Sequence, residues 1–413
     1  MMSDKQSEEP RIGIVAVGYN RLGSLERLLT RLNACDYPCS DVHLVISLDN
    51  CGSMELAGFA ERFTWEHGPK TVVLQPERLG LRRHILKCGT YMTEFGWDAQ
   101  IVLEDDVYPA GAFYEYSLQA VKKYRDDDRI AGIALFGLPL NQSAHLPFKP
   151  SLSRYDAYFV QLAQSCGQVW MRRQWDDFVR WYENRPEPFV CDERVPFNVR
   201  RWPETSWLKY HICYCVENDK WFSYPYQSLT TNFSDIGSNT NVRSNILQTR
   251  LQNEAKEAYE FPDLDGDAVR YDTWCENTEL YRTLGLSADE LCVDIAGAKG
   301  SGQGRRYWLT TLSAPYRIVK SFALQLMPMD MNVLCGLPGH EIFLYDTEYV
   351  GEAPAVGDRD LSIWAYYNRL FYPDPAIMKL ARRMKNNSRK NRLRLLLHPG
   401  KLFKKLWKRI KGK

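Results

Sequence analysis

Short apolar runs alternate with amphipathic stretches through the first 110 residues, and every apolar run ends in polar or charged residues. The runs are Ile12 to Tyr19, Val42 to Leu48, Thr71 to Leu74 and Gln100 to Leu103. Between them, Gly23 to Leu32 places Leu25, Leu28, Leu29 and Leu32 on one helical stripe, and Ser53 to Glu66 and Leu81 to Phe95 also read as helices. Runs of about four to eight apolar, β-branched residues have the length of buried strands rather than of helices. The alternation predicts an α/β fold, a Rossmann-like, mostly parallel sheet with helices on both faces.

Such a sheet decides where function sits, because ligands bind beyond the carboxyl ends of the strands, where strand order reverses. Asn20 and Arg21 follow the first run, Asp49 and Asn50 the second, Arg82, Arg83 and His84 the third, and Glu104, Asp105 and Asp106 the fourth. A sheet needs no such set for its own stability. A nucleotide site does: polar groups for base and ribose, cations for phosphate, acids for a divalent metal. Consecutive acids repel one another unless a cation or solvent intervenes, and Mg2+ or Mn2+ is held by few carboxylates together with substrate phosphates. The first run is followed by neither Gly-x-Gly-x-x-Gly nor Gly-x4-Gly-Lys-Ser/Thr, which disfavours nicotinamide dehydrogenases and P-loop enzymes.

Farther along, residues 130 to 235 are rich in Trp and Tyr, with a short helix expected over Asp176 to Tyr182 and a strand over Trp221 to Leu229. Polar loops follow at Asp263 to Asp267 and Gly297 to Gly304. The first lacks the glutamate that closes a calcium loop. Helices are expected over Trp308 to Met327 and Leu361 to Leu370.

The formal net charge of +2 hides an asymmetry. Of the 53 Lys and Arg, 15 lie between Lys379 and Lys413 with no acid among them, leaving 38 against 51 acidic residues elsewhere, a net of −13. An acidic body does not suit nucleic acid, which needs a positive groove. In the tail, Leu402, Phe403, Leu406, Trp407 and Ile410 fall on one helical face among lysines, the pattern of a helix lying on an anionic membrane surface. The longest uncharged apolar stretch, Ile130 to Leu140, falls short of the about 20 residues of a bilayer span. The first ten residues are polar and acidic, so no secretory leader is expected. A cytoplasmic protein, peripheral on the inner face of the cell membrane, is the expectation. Eleven cysteines, an odd number without a framework, are then expected as reduced thiols rather than disulfides. Cys35-x3-Cys39 and His211-x-Cys213-x-Cys215 come nearest to metal spacing and read as buried small hydrophobes.

The segments IGIVAVGYNR, VISLDNCGS, LGLRRHILKCG and IVLEDDVYPAGAFYEY, in that order, resemble the GT-A glycosyltransferases, in particular the family-2-like bacterial polysaccharide sugar transferases related to N-acetylglucosaminyltransferase I. The bacterial group is also similar at SCGQVWMRRQWDDFVRWY, RWPETSW and YPYQSLTTNFSDIGSNT. The resemblance spans about residues 11 to 240. It implies transfer of a sugar from a nucleotide-sugar donor to a hydroxyl of a glycan or lipid-linked glycan, with inversion and with Mn2+ or Mg2+. It also implies an organisation: a polar tail over 1–10, a nucleotide-sugar-binding catalytic domain over 11–240, an extension of mixed loop and helix over 241–375, and a basic amphipathic tail over 376–413.

Position by position, the resemblance implies that Arg21 and Asp49 contact the nucleotide and that His84 and Arg83 sit against uridine or diphosphate. Asp105 faces ribose or metal, Asp106 is the metal ligand, and Asn20 and Glu104 complete the donor side. The general base departs from the family pattern. Eukaryotic relatives place an aspartate directly after a tryptophan, whereas Trp207 is followed by Leu208 and Lys209. Glu204 is the nearest carboxylate and Asp235 the reserve. Two other readings stay open: a sugar-nucleotide nucleotidyltransferase, although the loop from Gly18 to Gly23 is poor in glycine and cations for one, and a non-catalytic protein that kept the nucleotide fold.

Overall fold

The computed structural model describes residues 9–236 and 244–368, together with Lys379. The chain opens with β1 (Ile12–Gly18), α1 (Leu22–Asn33), β2 (Leu44–Leu48), α2 (Met54–Arg62), β3 (Lys70–Leu74), α3 (Leu81–Gly89), α4 (Tyr91–Glu94) and β4 (Ala99–Glu104). It continues through β5 (Val107–Pro109), α5 (Phe113–Tyr124), β6 (Ile130–Ala134), β7 (Leu140–Asn141), β8 (Leu146–Pro147), β9 (Ala157–Val160), β10 (Gln168–Met171) and α6 (Arg172–Asn184). Then come α7 (Phe197–Arg200), α8 (Trp207–Glu217), β11 (Trp221–Pro225), β12 (Thr230–Asn232) and β13 (Arg270–Tyr271). The last part holds α9 (Leu280–Leu284), β14 (Leu291–Asp294), β15 (Tyr307–Thr310), β16 (Tyr316–Phe322), α10 (Met331–Leu334), β17 (Ile342–Val350) and α11 (Arg359–Tyr367).

Nine strands form one sheet in the order β13-β9-β11-β6-β10-β4-β1-β2-β3. Most neighbours are parallel; β10 runs antiparallel to both β4 and β6, and β9 antiparallel to β11. The period of two divides β1 between two cores. Ile12, Ile14 and Ala16 pack with the leucine stripe of α1 and with Phe113 of α5. Val15 and Val17 pack on the other face with Ile85 of α3, Trp175 and Phe178 of α6, and Ile212 of α8. The α/β fold with helices on both faces is therefore the one expected, and all four early strands stand where the apolar runs placed them.

Register aligns the strand ends. Val17 lies opposite Glu104, Gly18 opposite Leu48, and Leu48 opposite Leu74, so the residues that follow each strand emerge side by side. A small ribbon crosses this edge: β5, directly after the acids, pairs antiparallel with β12, setting Asn232 opposite Val107. Gly167 lets this ribbon approach the sheet. Its φ is +101, and a Cβ there would lie 2.7 Å from Thr230 Cγ2, so a side chain would meet both strain and a clash.

Several expectations are corrected. The region after residue 240 is not only loop and helix. Residues 270–271 join the large sheet, and a four-stranded sheet ordered β14-β15-β17-β16 follows over its own core of Val293, Leu309, Phe322, Ile342 and Leu344. The helix expected over Trp308 to Met327 is instead β15 and β16. Pro315 interrupts it, and the β-branched Thr310, Ile318 and Val319 suit the pairing with β17. The stretch Leu81 to Phe95 breaks at Thr90 into α3 and α4, the second helix ends at Arg62, and the Asp176 to Tyr182 helix extends over Arg172–Asn184. Cys191 and Cys213 form a disulfide, so the expectation of reduced thiols throughout does not hold. Among the described residues no helix is long and apolar enough to cross a membrane. The basic tail from residue 380 onward and the polar tail over residues 1–8 lie outside the described residues.

His211 on α8 faces the aromatic core. It is 1% exposed, stacks on Phe178 at 4.2 Å, and has no hydrogen-bond partner at either ring nitrogen among the described residues. Burial lowers its pKa from 6.5 to about 3. The unfolded chain therefore takes up a proton that the folded chain refuses, so stability is present above pH 6.5 and is lost as pH falls toward 3. We predict that His211→Leu flattens this acid limb. Urea denaturation of the two proteins should show the wild type losing about 2 kcal/mol relative to the variant between pH 7.5 and 5; parallel pH curves would contradict this account of His211.

Candidate active site

Arg21, the N-cap residue of α1, sits at the centre of the aligned strand ends. Its guanidinium binds Asp105 at both carboxylate oxygens, with Nε donating to Oδ2 at 3.1 Å and Nη2 paired with Oδ1. Nη1 donates to Asp106 Oδ2 at 3.1 Å and to the Asp235 carbonyl oxygen at 3.1 Å. One planar cation thus ties the end of β4 to the segment that follows β12, the fork geometry that favours arginine over lysine. Burial alone would lower the Arg21 pKa, but Asp105 and Asp106 raise it well above its ordinary value, so the side chain is always charged.

Each acid has its own surroundings. Burial pushes Asp105 up to about 6 although Arg21 pulls it down, and Asp106 adds to the rise. Glu104 is pushed up to about 8, first by burial and then by the charges of Asp106 and Asp105. By surface area it is only half-buried, so crowding within the triplet weighs heavily in that rise. Asp106 Oδ1 accepts from Asn232 Nδ2 at 3.0 Å, and its carbonyl oxygen accepts from Phe233 N at 2.9 Å. Asp235 is held by Arg27 and by Ser24 Oγ at 2.8 Å. Burial opposes its ionisation, yet Arg27, Ser24 and Arg21 keep it below the usual carboxylate range. Arg27 in turn lies 4.0 Å above the Phe233 ring.

The remaining candidates are distributed differently from expectation. Asp49 is 5% exposed and accepts three backbone N–H groups, from Asn50 and Leu79 at Oδ1 (2.9 and 2.7 Å) and from Gly80 at Oδ2 (2.9 Å). It fastens the loop before α3 to the end of β2, where Gly80, with φ +75, starts the helix. His84, expected against the nucleotide, is 2% exposed, and its Nε2 lies 2.8 Å from Ser47 Oγ. Burial lowers its pKa to about 4, so it is a neutral core residue, because the fourth position of α3 turns inward. Arg83 is exposed and donates to the Leu79 and Arg78 carbonyl oxygens; Asn20 is exposed just beyond β1. Glu204 is exposed in the turn before α8, near enough for its charge to act on Tyr210, which also accepts from Arg82 at 2.9 Å. Among the described residues no hydrogen bond or ion pair joins Glu204 to the acid triplet.

The donor set suits a hard divalent cation, since it is built of carboxylate oxygens. It is not a finished cage: among the described residues no three ligating side chains converge. Asp105 spends both oxygens on Arg21; Asp106 accepts one bond at each oxygen, and its side chain is more open, 16% exposed against 5%. The residues therefore fit a cation held by Asp106 with the rest of its shell supplied by substrate and water. Ser24, Arg27, Asn232 and Phe233 were not anticipated from the sequence. Ser24 and Arg27 share one side of α1 at i and i+3, and Asn232 is tied to the acids only by the ribbon.

No family model and no curated protein matches the chain. Among solved structures it is similar to a mannosyltransferase of Pyrobaculum calidifontis in complex with GDP-Man and Mn2+ (14% identity, 45% of this chain and 50% of that one, TM-score 0.32). It is also similar to S. aureus TarS 1-349 in complex with UDP-GlcNAc (12% identity, 55% and 60%, TM-score 0.37) and to GalNAc-T7 with UDP, GalNAc and Mn2+ (12% identity, 53% and 43%, TM-score 0.35). The aligned part spans 60% or less of each of those chains. At such scores likeness decides neither fold nor activity, and the case rests on this chain's own side chains.

Removing Arg21 leaves Asp105 and Asp106 without their shared counter-charge. Arg21→Leu should cost about 2–3 kcal/mol at pH 7.5, less than the roughly 3–5 kcal/mol of a fully buried broken pair because the guanidinium is 21% exposed. The deficit should shrink as pH falls through about 6, where Asp105 takes up a proton. Denaturant titrations at pH 7.5 and 4.5 measure both; equal stability of variant and wild type at pH 7.5 would refute the counter-charge role.

Proposed function

We propose that this chain is a glycosyltransferase that moves a hexosyl or N-acetylhexosaminyl group from a nucleotide-sugar, a UDP-sugar by resemblance, to a hydroxyl of a glycan or lipid-linked glycan. The observation that carries this reading is the convergence of Arg21, Asp105, Asp106 and Asp235 at one edge of the sheet. When the anomeric bond breaks, the departing diphosphate gains negative charge. Cations fixed in place beforehand stabilise it most, since nothing needs to reorganise during the reaction. Arg21 and Arg27 are two such cations, each charged and oriented by carboxylates. Asp106 and the donor's diphosphate oxygens would hold Mn2+ or Mg2+, which supplies Lewis-acid stabilisation of the leaving group when bound.

Within this reading Asp105 and Glu104 aim and balance Arg21, and Asp49 holds the loop that borders the nucleotide side. Glu204 is the proton acceptor for the acceptor hydroxyl, to be reached at about 2.6–3.2 Å in the complex. Asp235 suits that task less, because Arg27 and Ser24 occupy it and keep it below the usual range. Transfer inverts the anomeric centre: the hydroxyl attacks opposite the leaving diphosphate. The basic segment 376–413 brings the enzyme to an anionic cytoplasmic membrane surface, where a lipid-linked acceptor of surface polysaccharide or glycolipid synthesis is at hand.

Incubation with Mn2+ and a panel of UDP-sugars should release UDP, slowly to water and faster with the acceptor present. Asp106→Ala should lower the rate at least about 100-fold, the scale on which a fixed electrostatic group acts. Release of pyrophosphate-exchange products instead of UDP would mark a nucleotidyltransferase, and no turnover together with no nucleotide binding would remove the enzymatic reading.

A further inference from the structure

A cavity of about 50 Å3, lined by none of the acid triplet, lies where the nine-stranded sheet meets the four-stranded one. Asn141, Phe148, Tyr271, Glu276, Asp330 and Tyr367 are among the residues that line it. Two of these are buried carboxylates. Asp330 is 6% exposed. Its Oδ2 accepts three hydrogen bonds, from Ser151 Oγ (2.9 Å), Tyr271 OH (3.0 Å) and Asn277 Nδ2 (2.7 Å). Its Oδ1, equally enclosed, has no partner among the described residues. Three donors thus saturate one oxygen, while the second lies buried with nothing to receive it.

Glu276 is 4% exposed and accepts from the Ala296 backbone N–H at 2.8 Å. Burial, and next the charge of Asp294, hold its carboxyl well above the ordinary range. Lys299 and Arg359 act on Glu276 by charge, but they make their contacts elsewhere. Lys299 pairs with Asp272 at 2.5 Å, and Arg359 donates to Thr311 Oγ1 at 2.8 Å and to the Ala296 carbonyl oxygen at 2.5 Å. Lys149 is exposed, with Nζ 3.2 Å from Met327 Sδ. Among the described residues no ion pair reaches Glu276 or Asp330. A buried carboxylate oxygen left unpaired is costly, and here two carboxylates border one cavity.

We propose that this cavity binds a hard divalent cation through Glu276 and the free oxygen of Asp330, joining the two sheets. The space suits it. The cavity exceeds the roughly 10–15 Å3 that a single water needs, and Mg2+ is commonly held by one or two carboxylates while keeping several waters. Ca2+ and Mn2+ share the preference for oxygen ligands. The site is separate from Asp106 and does not depend on the glycosyltransferase reading.

The test is calorimetric titration of the full chain with MgCl2, CaCl2 and MnCl2, without nucleotide. Four proteins are compared: wild type, Asp330→Asn, Glu276→Gln and Asp106→Ala. At least one cation should bind wild type and Asp106→Ala alike, one per chain, and raise the melting temperature of both. Its affinity should fall at least tenfold in Asp330→Asn and in Glu276→Gln. Should Asp330→Asn fail to fold, Glu276→Gln decides alone. Absence of binding by all three cations at millimolar concentration, or binding that vanishes in Asp106→Ala and persists in the two cavity variants, would overturn the proposal.

Discussion

Three consecutive acids cannot stand at the end of a buried strand unless something offsets their charge, and in this protein that something is chiefly Arg21. Its guanidinium spans Asp105, Asp106 and the backbone of Asp235, and so it links β1, β4 and the segment after β12 through one side chain. A second arginine, Arg27, repeats the arrangement nearly two turns along by holding Asp235. The edge is thus partly neutralised before any ligand arrives. Desolvation keeps Asp105 and Glu104 nevertheless above their ordinary pKa, the mark of a site that carries more negative charge than its own cations offset.

The sheet itself explains why those groups meet. Register sets Val17 against Glu104 and Gly18 against Leu48. Residues separated by some 80 positions in sequence are neighbours at the edge because parallel strands end together. The ribbon of β5 and β12 then brings Asn232 to Asp106. The loop before α3 is fastened by Asp49, whose carboxylate takes three backbone N–H groups. These interactions fix the geometry of the edge around Arg21 and Asp106.

Much of this was legible in the sequence, for a physical reason. Buried parallel strands read as short apolar runs, and polar residues after them mark the carboxyl edge. Hence β1 to β4 and the acid triplet were readable directly. The roles of Asp49 and His84 were not. A carboxylate after a strand looks alike whether it binds ligand or backbone amides, and whether position 84 turns inward depends on how α3 packs. Arg27 and Asn232 were hidden because only tertiary contact joins them to the acids. The helix read over Trp308 to Met327 failed because periodicity does not separate a short amphipathic helix from two strands around Pro315. The Cys191–Cys213 disulfide joins two cysteines whose nearness exists only once α8 packs beside the loop after α6. The paired carboxylates of the cavity come from positions 276 and 330, and no local spacing connects them.

The most direct measurement for the central claim is a structure determined with UDP and Mn2+ bound. The account predicts diphosphate density beyond the ends of β1 and β4, within reach of Arg21, with the metal on Asp106. Nucleotide bound on another surface, with Arg21 and the acid triplet left untouched, would contradict it.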